Sequence, residues 1–509
     1  MSSDPCQRIV DERDVILDAI QAKINLMRHQ ATPDEQTQDE LSAKMQELDA
    51  KDLELQQCRA RNQIPTGPPP NAIYVQRKKT YQGAGDGTPG NPFRRITDAV
   101  SLARKIWQRS RQPIDIWVEN GIYPGAFDGS ATDTEDLPII LDVPNLRLLG
   151  KSQFDFFSLD DFPTGYVFPD TQDTFYSVRI NPNKAPKINQ AVIVIAPTDP
   201  VMTGEGITVS GFNLESPAGT PQDLGVGILA YRVTGFRITN NIVKNFRIGV
   251  QARRASGVID WNYLSNNKSG GAGASGGSVV DPAVVKLKRN RSYQNGATGV
   301  ILSATDAKLS LDVGRNTWLN ANAFKAPAVY DLDHDLSKVP NALTAWLINN
   351  DLSGNSITNP INHLTIGFGL RCLLYADNLY DINAQRPFTA DLTVFADGNN
   401  FNSNASRCVL VDAGFPLANS GHHYYAHFTG HFANSKTDAT RTGHYCLNGS
   451  DGVLNFLDRP LTKYEFLQKS RYEIQYTNGD LDNSSFVNPQ RDNNGITLEN
   501  RLLVNGNER

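Results

Sequence analysis

The chain lacks most of the features by which enzymes and membrane proteins show themselves in sequence. Its 509 residues are 39% hydrophobic, yet no stretch approaches the roughly 18 consecutive apolar residues of a membrane-spanning helix. The opening residues, MSSDPCQRIVDERD, are polar and acidic, without the basic and apolar regions of a secretory signal. That predicts a protein that is cytoplasmic or is exported as part of an assembly. No charge sign dominates: 49 Lys and Arg face 54 Asp and Glu, a formal net charge of -5. Nothing therefore draws the chain as a whole to nucleic acid. The five cysteines, Cys6, Cys58, Cys372, Cys408 and Cys446, form no CxxC pair, which argues against a zinc ribbon. A phosphate-binding loop, a nucleophile elbow and an HExxH helix are all missing. No metal and no cofactor is expected.

What is present is a repeat. Between Gly227 and Gly299, Gly227-Ile228 recurs as Gly249-Val250, 22 residues on (249 − 227). Gly235-Phe236-Arg237-Ile238 recurs as Gly257-Val258-Ile259-Asp260, and Asn240 as Asn262, at the same offset. A period just above 20, built from short β-rich runs with Asn and Gly at the corners, marks a solenoid whose coils each supply short strands. The expected fold is mainly β, a right-handed parallel β-helix.

Helical patterning precedes it. Ile9, Ile16, Ile20, Ile24 and Met27 recur at helical spacing. Thr32-Pro33-Asp34-Glu35 then reads as the N-cap of a second helix carrying Leu41, Met45, Leu48 and Leu55. Two helices joined so closely predict an antiparallel hairpin over 1–64. It would bring Cys6 and Cys58 to one end, as a disulfide or as two free thiols. The apolar stripe is narrow, which suggests docking onto a protein partner, a second copy or the end of the solenoid. Three consecutive prolines, Pro68 to Pro70, make 65–73 a semi-rigid linker. The solenoid is expected over 74–509.

The segment after the linker contains Gly85-Asp86-Gly87-Thr88, Asn91-Pro92-Phe93, an amphipathic helix at 94–109, the strand Ile114 to Val118, and Gly121-Ile122-Tyr123. This combination resembles the opening segment of pectin-lyase-like right-handed parallel β-helix proteins. The resemblance covers about 50 residues and implies a capping helix over the first coil, whose edge it shields. It is nearly silent on chemistry, because that superfamily includes lyases, hydrolases, esterases, tailspikes and non-catalytic surface proteins. Beyond it, 154–189 reads as an excursion from the coils. Residues 268–277, KSGGAGASGG, read as a flexible loop, and the C-terminal residues as a closing cap.

In such a solenoid, side chains of one lateral position stack about 4.8 Å apart, so a site is assembled from residues one period apart. Three sets were weighed. The basic set is Lys286, Lys288, Arg289 and Arg291, with Arg253 and Arg254 two coils earlier. It reads as a solvated stripe or an anion- and glycan-binding one, and it lacks the acidic calcium-ligand pattern that would accompany a pectate-type lyase base. The acidic set is Asp331, Asp333, His334 and Asp335; its alternating carboxylates could hydrolyse a glycan, or serve only as a solvated loop. The His-rich run includes His422, His423, Tyr424, Tyr425, His427 and His431. His423, His427 and His431 would share a strand face but step by roughly 13 Å, too far for one metal. Its rings suit sugar stacking or an interface, with a His423/Tyr425 pair as a catalytic candidate.

These observations predict a non-catalytic β-helix that is structural or carbohydrate-binding, attached through its N-terminal helices to a phage-tail-like or cell-surface assembly. The alternative is a polysaccharide lyase or glycoside hydrolase working in a groove along the solenoid. A glycan surface is the expected partner, with no nucleic acid and no transmembrane segment.

Overall fold

A computed structural model of the chain describes most of residues 71–151, 178–303, 341–373 and 388–412, short strands between 424 and 508, and helical residues between 12 and 51. The chain divides into two compact units, Met1–Pro70 and Asn71–Arg509. In the first unit, helical residues fall between 12 and 23 and between 40 and 51. They bury Ile16 and Ile20 on one stretch, Leu41 and Leu48 on the other. Lys51 pairs with Glu12 at 2.7 Å and Lys23 pairs with Glu40, so the two ion pairs are nested. Cys6 and Cys58 lie outside the described residues. Among the described residues, no helix is long and apolar enough to cross a membrane.

The second unit is mainly β. Its chain visits three mainly parallel sheets in rotation, and the coils between Val226 and Tyr293 supply strands to all three. One full turn reads Val226–Tyr231, Thr234–Thr239, Ile242–Lys244, and the next begins at Ile248–Arg253, hydrogen-bonded in parallel to the first of these. The period-22 repeat is therefore a stack of coils, the arrangement of a parallel β-helix. The inward residues form aliphatic columns. Ile228, Val250, Ala272, Val300, Leu370 and Val409 follow one another in register and are all buried. Each Val, Leu or Ile so enclosed contributes about 1.5–3 kcal/mol.

The repeat needs one correction. Thr234 pairs with Ser256, but Phe236 pairs with Gly257, leaving Gly235 unpaired in a bulge at φ 67. Beyond it the period is 21: Ile238 pairs with Ile259, and Asn262 is stacked on Asn241, not Asn240. Asn240 instead turns the corner in the left-handed region at φ 55.

Asn241 opens a buried ladder. Its backbone N–H and Nδ2 donate to Oδ1 of Asn262, which donates likewise to Asn290, then Asn350, then Asn399, at 2.9–3.1 Å. A second ladder at the next corner joins Asn267, Asn295, Asn355 and Asn404. A corner takes backbone N–H groups out of the sheets. The stacked amides satisfy them, and each Nδ2 also donates to a carbonyl, such as Ile259 O from Asn290 at 2.7 Å.

The Gly-rich stretch is likewise not a flexible loop. Gly270–Ser275 is a fully buried strand paired with Ile248–Arg253 on one side and Thr298–Ser303 on the other. Glycine recurs at the second position of this sheet's strands because coils approach closely there. A Cβ on Gly249 would lie 2.6 Å from the Gly271 carbonyl oxygen, and one on Gly271 only 1.8 Å from Ser292 Oγ. Small residues here report close contact with the next coil's backbone and with side chains across the interior, not freedom. The expected excursion is also shorter than read, since Val178–Pro182 is a strand of the third sheet.

The helix expected at 94–109 spans Ile96–Ser110 and packs Ile96, Ala99, Val100, Ala103 and Trp107 against the first coils. Its first strand, Ile73–Val75, begins within the stretch read as linker. The three later cysteines do not stack: Cys372 stands opposite Val411, and Cys446 opposite Leu410. Burial raises the Cys372 thiol pKa.

Candidate functional site

The ladders determine which residues reach the outside. Each asparagine of the first ladder turns inward, so the residue after it lies on the outer face of the third sheet. Those residues are Ile242, which is itself covered, then Tyr263, Arg291, Asp351 and Asn400, in register from coil to coil. Two positions further along the same strands stand Lys244, Ser265 and Tyr293, with Glu215 one strand earlier. The turns that follow hold Asn245, Asn266 and Gln294 in the left-handed region. Asn266 and Gln294 are exposed, and Tyr263, Arg291, Tyr293 and Asp351 are half-buried.

This face is preorganised. The Arg291 guanidinium lies 4.8 Å above the Tyr293 ring, and its Nε is 3.2 Å from Asp351 Oδ2. Asp351 Oδ1 accepts from Ser353 Oγ at 2.6 Å and from Asn400 Nδ2 at 3.1 Å. Gln294 Nε2 donates to Tyr293 Oη at 3.3 Å. The Tyr293 ring is seated over the next coil at Gly354, where a Cβ would meet its Cε2 at 2.5 Å. Aromatic rings, amides and a fixed ion pair on one rigid surface suit the stacking and hydroxyl hydrogen bonding that hold a sugar.

The residues singled out from the sequence are placed as follows. Arg253 closes a strand of another sheet, opposite Tyr231 and Ser275, and is 8% exposed. Arg254 is the corner residue after it, at φ 48. Lys286 stands opposite Val258 and Trp346, and Lys288 opposite Asp260 and Ile348, with Lys288 only 6% exposed. The arginine pair lies one coil before the lysines, not two, and the four do not form one lateral column. Of the basic run, Arg291 reaches the tyrosine face, while Arg289 lies 5.3 Å over Trp261 at the adjoining corner. Asp331, Asp333, Asp335, His422 and His423 fall outside the described residues. Tyr424 and Tyr425 begin the strand Tyr424–Ala433, opposite Phe388 and Thr389. On that strand His427 stands opposite Asp391 and Arg471, and His431 opposite Phe395 and Gln475. Among the described residues, no cluster of three or more His, Cys, Asp or Glu could hold a metal.

Two features were not anticipated. Trp346 and Phe395 stack at 4.3 Å in the column that also contains Lys286, and both are buried. Glu135 is a fully buried carboxylate at the N-terminus of the helix Ile96–Ser110. It accepts from Ile96 N at 2.6 Å, Thr97 N at 3.0 Å and Thr97 Oγ1 at 3.1 Å. Burial pushes its pKa up to about 7, against these hydrogen bonds and the nearby Arg95. It caps a helix that no local side chain caps. The tyrosine face had a signal in the sequence, the residue following each ladder asparagine, but it becomes readable only once the period slips from 22 to 21.

No family model matches the sequence, and no curated protein matches it. Among solved structures, the chain is similar to ORF18 of Geobacillus virus E2, at 12% identity and TM-score 0.33, covering 85% of this chain and 61% of that one. It is similar to the A-module of the Azotobacter vinelandii mannuronan C-5 epimerase AlgE6, at 10% identity and TM-score 0.38, covering 81% and 93%. A third is the tailspike gp49 of Acinetobacter baumannii bacteriophage Fri1, a capsular polysaccharide depolymerase, at 10% identity and TM-score 0.34, covering 82% and 61%. The sheet registers, not these likenesses, carry the description of the fold, and the likenesses assign no chemistry to this chain.

Proposed function

We propose that this chain is a non-catalytic, glycan-binding rod, a right-handed parallel β-helix carried by an N-terminal helical hairpin that docks it to a larger assembly of the phage-tail or cell-surface kind. The right hand follows from the twist of the strands, which favours right-handed crossovers between parallel strands. The single observation that carries the binding reading is the outer row of the third sheet, where Tyr263, Arg291, Tyr293, Asp351 and Asn400 are fixed on consecutive coils. The nested ion pairs of Glu12 with Lys51 and Lys23 with Glu40 support antiparallel helices. Val15, 69% exposed, offers an apolar group outward for a second copy or an assembly protein.

The test is retention of full-length protein on immobilised polysaccharides, followed alongside release of reducing ends and of unsaturated products. Retention without release is expected. Product release would make the chain a lyase or hydrolase, and absence of retention on every polymer would remove the glycan reading. Docking is tested by sedimentation of the full chain, alone and as Val15→Glu. The account expects self-association or partner capture that the substitution weakens. A monomer that binds nothing through this unit would contradict it.

A further inference from the structure

We infer that the glycan bound by the third sheet is neutral, recognised through its hydroxyls and ring faces and not through carboxylates or sulfates. The inference rests on the glycan-binding reading above and narrows it. It comes from how the charges on this face are matched. Arg291 is held at 3.2 Å by Asp351, whose other oxygen is taken by Ser353 and Asn400. Lys244 stands in register with Glu215, and Glu215 also accepts from Asn245 Nδ2 at 3.3 Å. At the adjoining corner Lys288 stands in register with Asp260, which pairs with Arg237 at 2.7 Å. Arg291, the cation in the tyrosine row, thus has a carboxylate fixed beside it, and an anionic polymer would meet that carboxylate as well as the cation. Like charges brought together at an interface oppose binding.

The remaining groups on this face favour a neutral chain. Tyr263 and Tyr293 are half-buried, and the exposed amides of Asn266 and Gln294 flank them on successive turns. Side-chain amides combine a donor and an acceptor, the pairing that adjacent sugar hydroxyls require. Strand geometry puts Tyr263 and Tyr293 roughly 8 Å apart on a diagonal, one coil over and two residues along. A flexible sugar chain crossing that diagonal meets both rings on a surface that does not rearrange, which lowers the ordering cost of binding.

The experiment titrates the full-length protein with neutral polymers (dextran, a β-glucan, a glucomannan) and with acidic ones (alginate, polygalacturonate, hyaluronan), at low and at high salt. A neutral polymer should bind with less than about a twofold change between the two salts, because little ion release accompanies it. Tyr263→Ala and Tyr293→Ala should each weaken that binding about tenfold, the loss of one aromatic contact. Tyr263→Phe should keep most of it, and unchanged thermal unfolding of the variants excludes misfolding as the cause. Binding of acidic polymers instead, falling steeply with salt and indifferent to both tyrosines, overturns this inference while leaving a glycan-binding rod. Neutral binding that ignores both tyrosines also overturns it, because the site would lie elsewhere. Failure of every polymer overturns both readings.

Discussion

The coils between Val226 and Ser303 and those from Phe388 onward are built differently. In the earlier group a coil supplies three strands of three to six residues, with a tight corner at each ladder asparagine. In the later group the strands of the largest sheet reach ten residues, in Phe388–Asp397 and Tyr424–Ala433. Among the described residues, the third sheet's strands end with Arg291–Tyr293 and persist only as the single bridges through Asp351 and Asn400. The two asparagine ladders stop at the same level, at Asn399 and Asn404. The difference teaches that corner chemistry sets the cross-section. At the described corners up to Asn399 and Asn404 a buried amide takes the orphaned N–H groups, and there the chain turns sharply onto a third side. The tyrosine face exists only on that third side.

Breaking the ladder should have the largest effect. Asn290→Leu strands the buried Asn262 N–H and Ile259 carbonyl without their ladder partner, while the Asn262 amide keeps its bonds to the Ile238 and Asp260 carbonyls. At about 1–3 kcal/mol per buried unsatisfied group, the loss should reach at least about 2 kcal/mol. It should appear in native-state hydrogen exchange as local opening of the coils around 262–293, with those beyond 388 less affected, since a solenoid couples mainly neighbouring coils. Asn266→Gly, on the exposed turn and free to keep its left-handed backbone, should change exchange hardly at all. Uniform loss of protection along the chain would contradict the comparison.

Close coil approach comes next. Gly249→Ala places a Cβ 2.6 Å from the Gly271 carbonyl oxygen and should cost about 2 kcal/mol in chemical denaturation. Gly90→Ala, with nothing within 4 Å of its Cβ, should be close to neutral on this score. Equal costs would mean that the glycine column does not set the coil spacing.

The cap at the start of the solenoid gives a smaller, pH-dependent effect. Glu135→Ala should lower stability by about 1–2 kcal/mol, the range for losing a helix cap. Because burial raises the folded pKa to about 7 from the ordinary carboxylate value of 4.5, the protonated form is favoured in the fold. That stabilisation is complete below about pH 4.5 and is lost as pH rises towards and through 7. Denaturant midpoints measured across this window should fall less steeply in Glu135→Gln than in the parent; identical slopes would remove Glu135 as the cause. The smallest effect belongs to the first unit. Lys51→Glu should cost at most about 1 kcal/mol, because the pair with Glu12 is partly exposed, and adding Glu12→Lys should restore it, as read by helical circular dichroism.

The sequence made the stack visible through short range: Gly227 with Gly249 and the aliphatic runs repeat at nearly constant spacing. It concealed what depends on the neighbouring coil. Gly235 shifts the register by one residue, so the residue stacked on Asn262 is Asn241 and not Asn240, which lies a full 22 residues before it. Gly270–Ser275 has the composition of a linker, and only the nearness of Ser292 and the next coil's backbone explains it as a strand. The candidate site was obscured for the same reason. Arg291 was noticed as part of a basic run, but Tyr263, Tyr293 and Asp351 join it only through pairings across coils that are 28 and 60 residues long in sequence (291 − 263 and 351 − 291).

The central claim is that the third sheet's outer face is where the glycan lies. Hydroxyl-radical footprinting of the full-length protein, with and without a bound neutral polysaccharide, tests it directly. The account predicts that Tyr263 and Tyr293 become protected while the half-buried Tyr74, on the strand Ile73–Val75 of another sheet, changes little. Unchanged labelling of both tyrosines under saturating polysaccharide would contradict it.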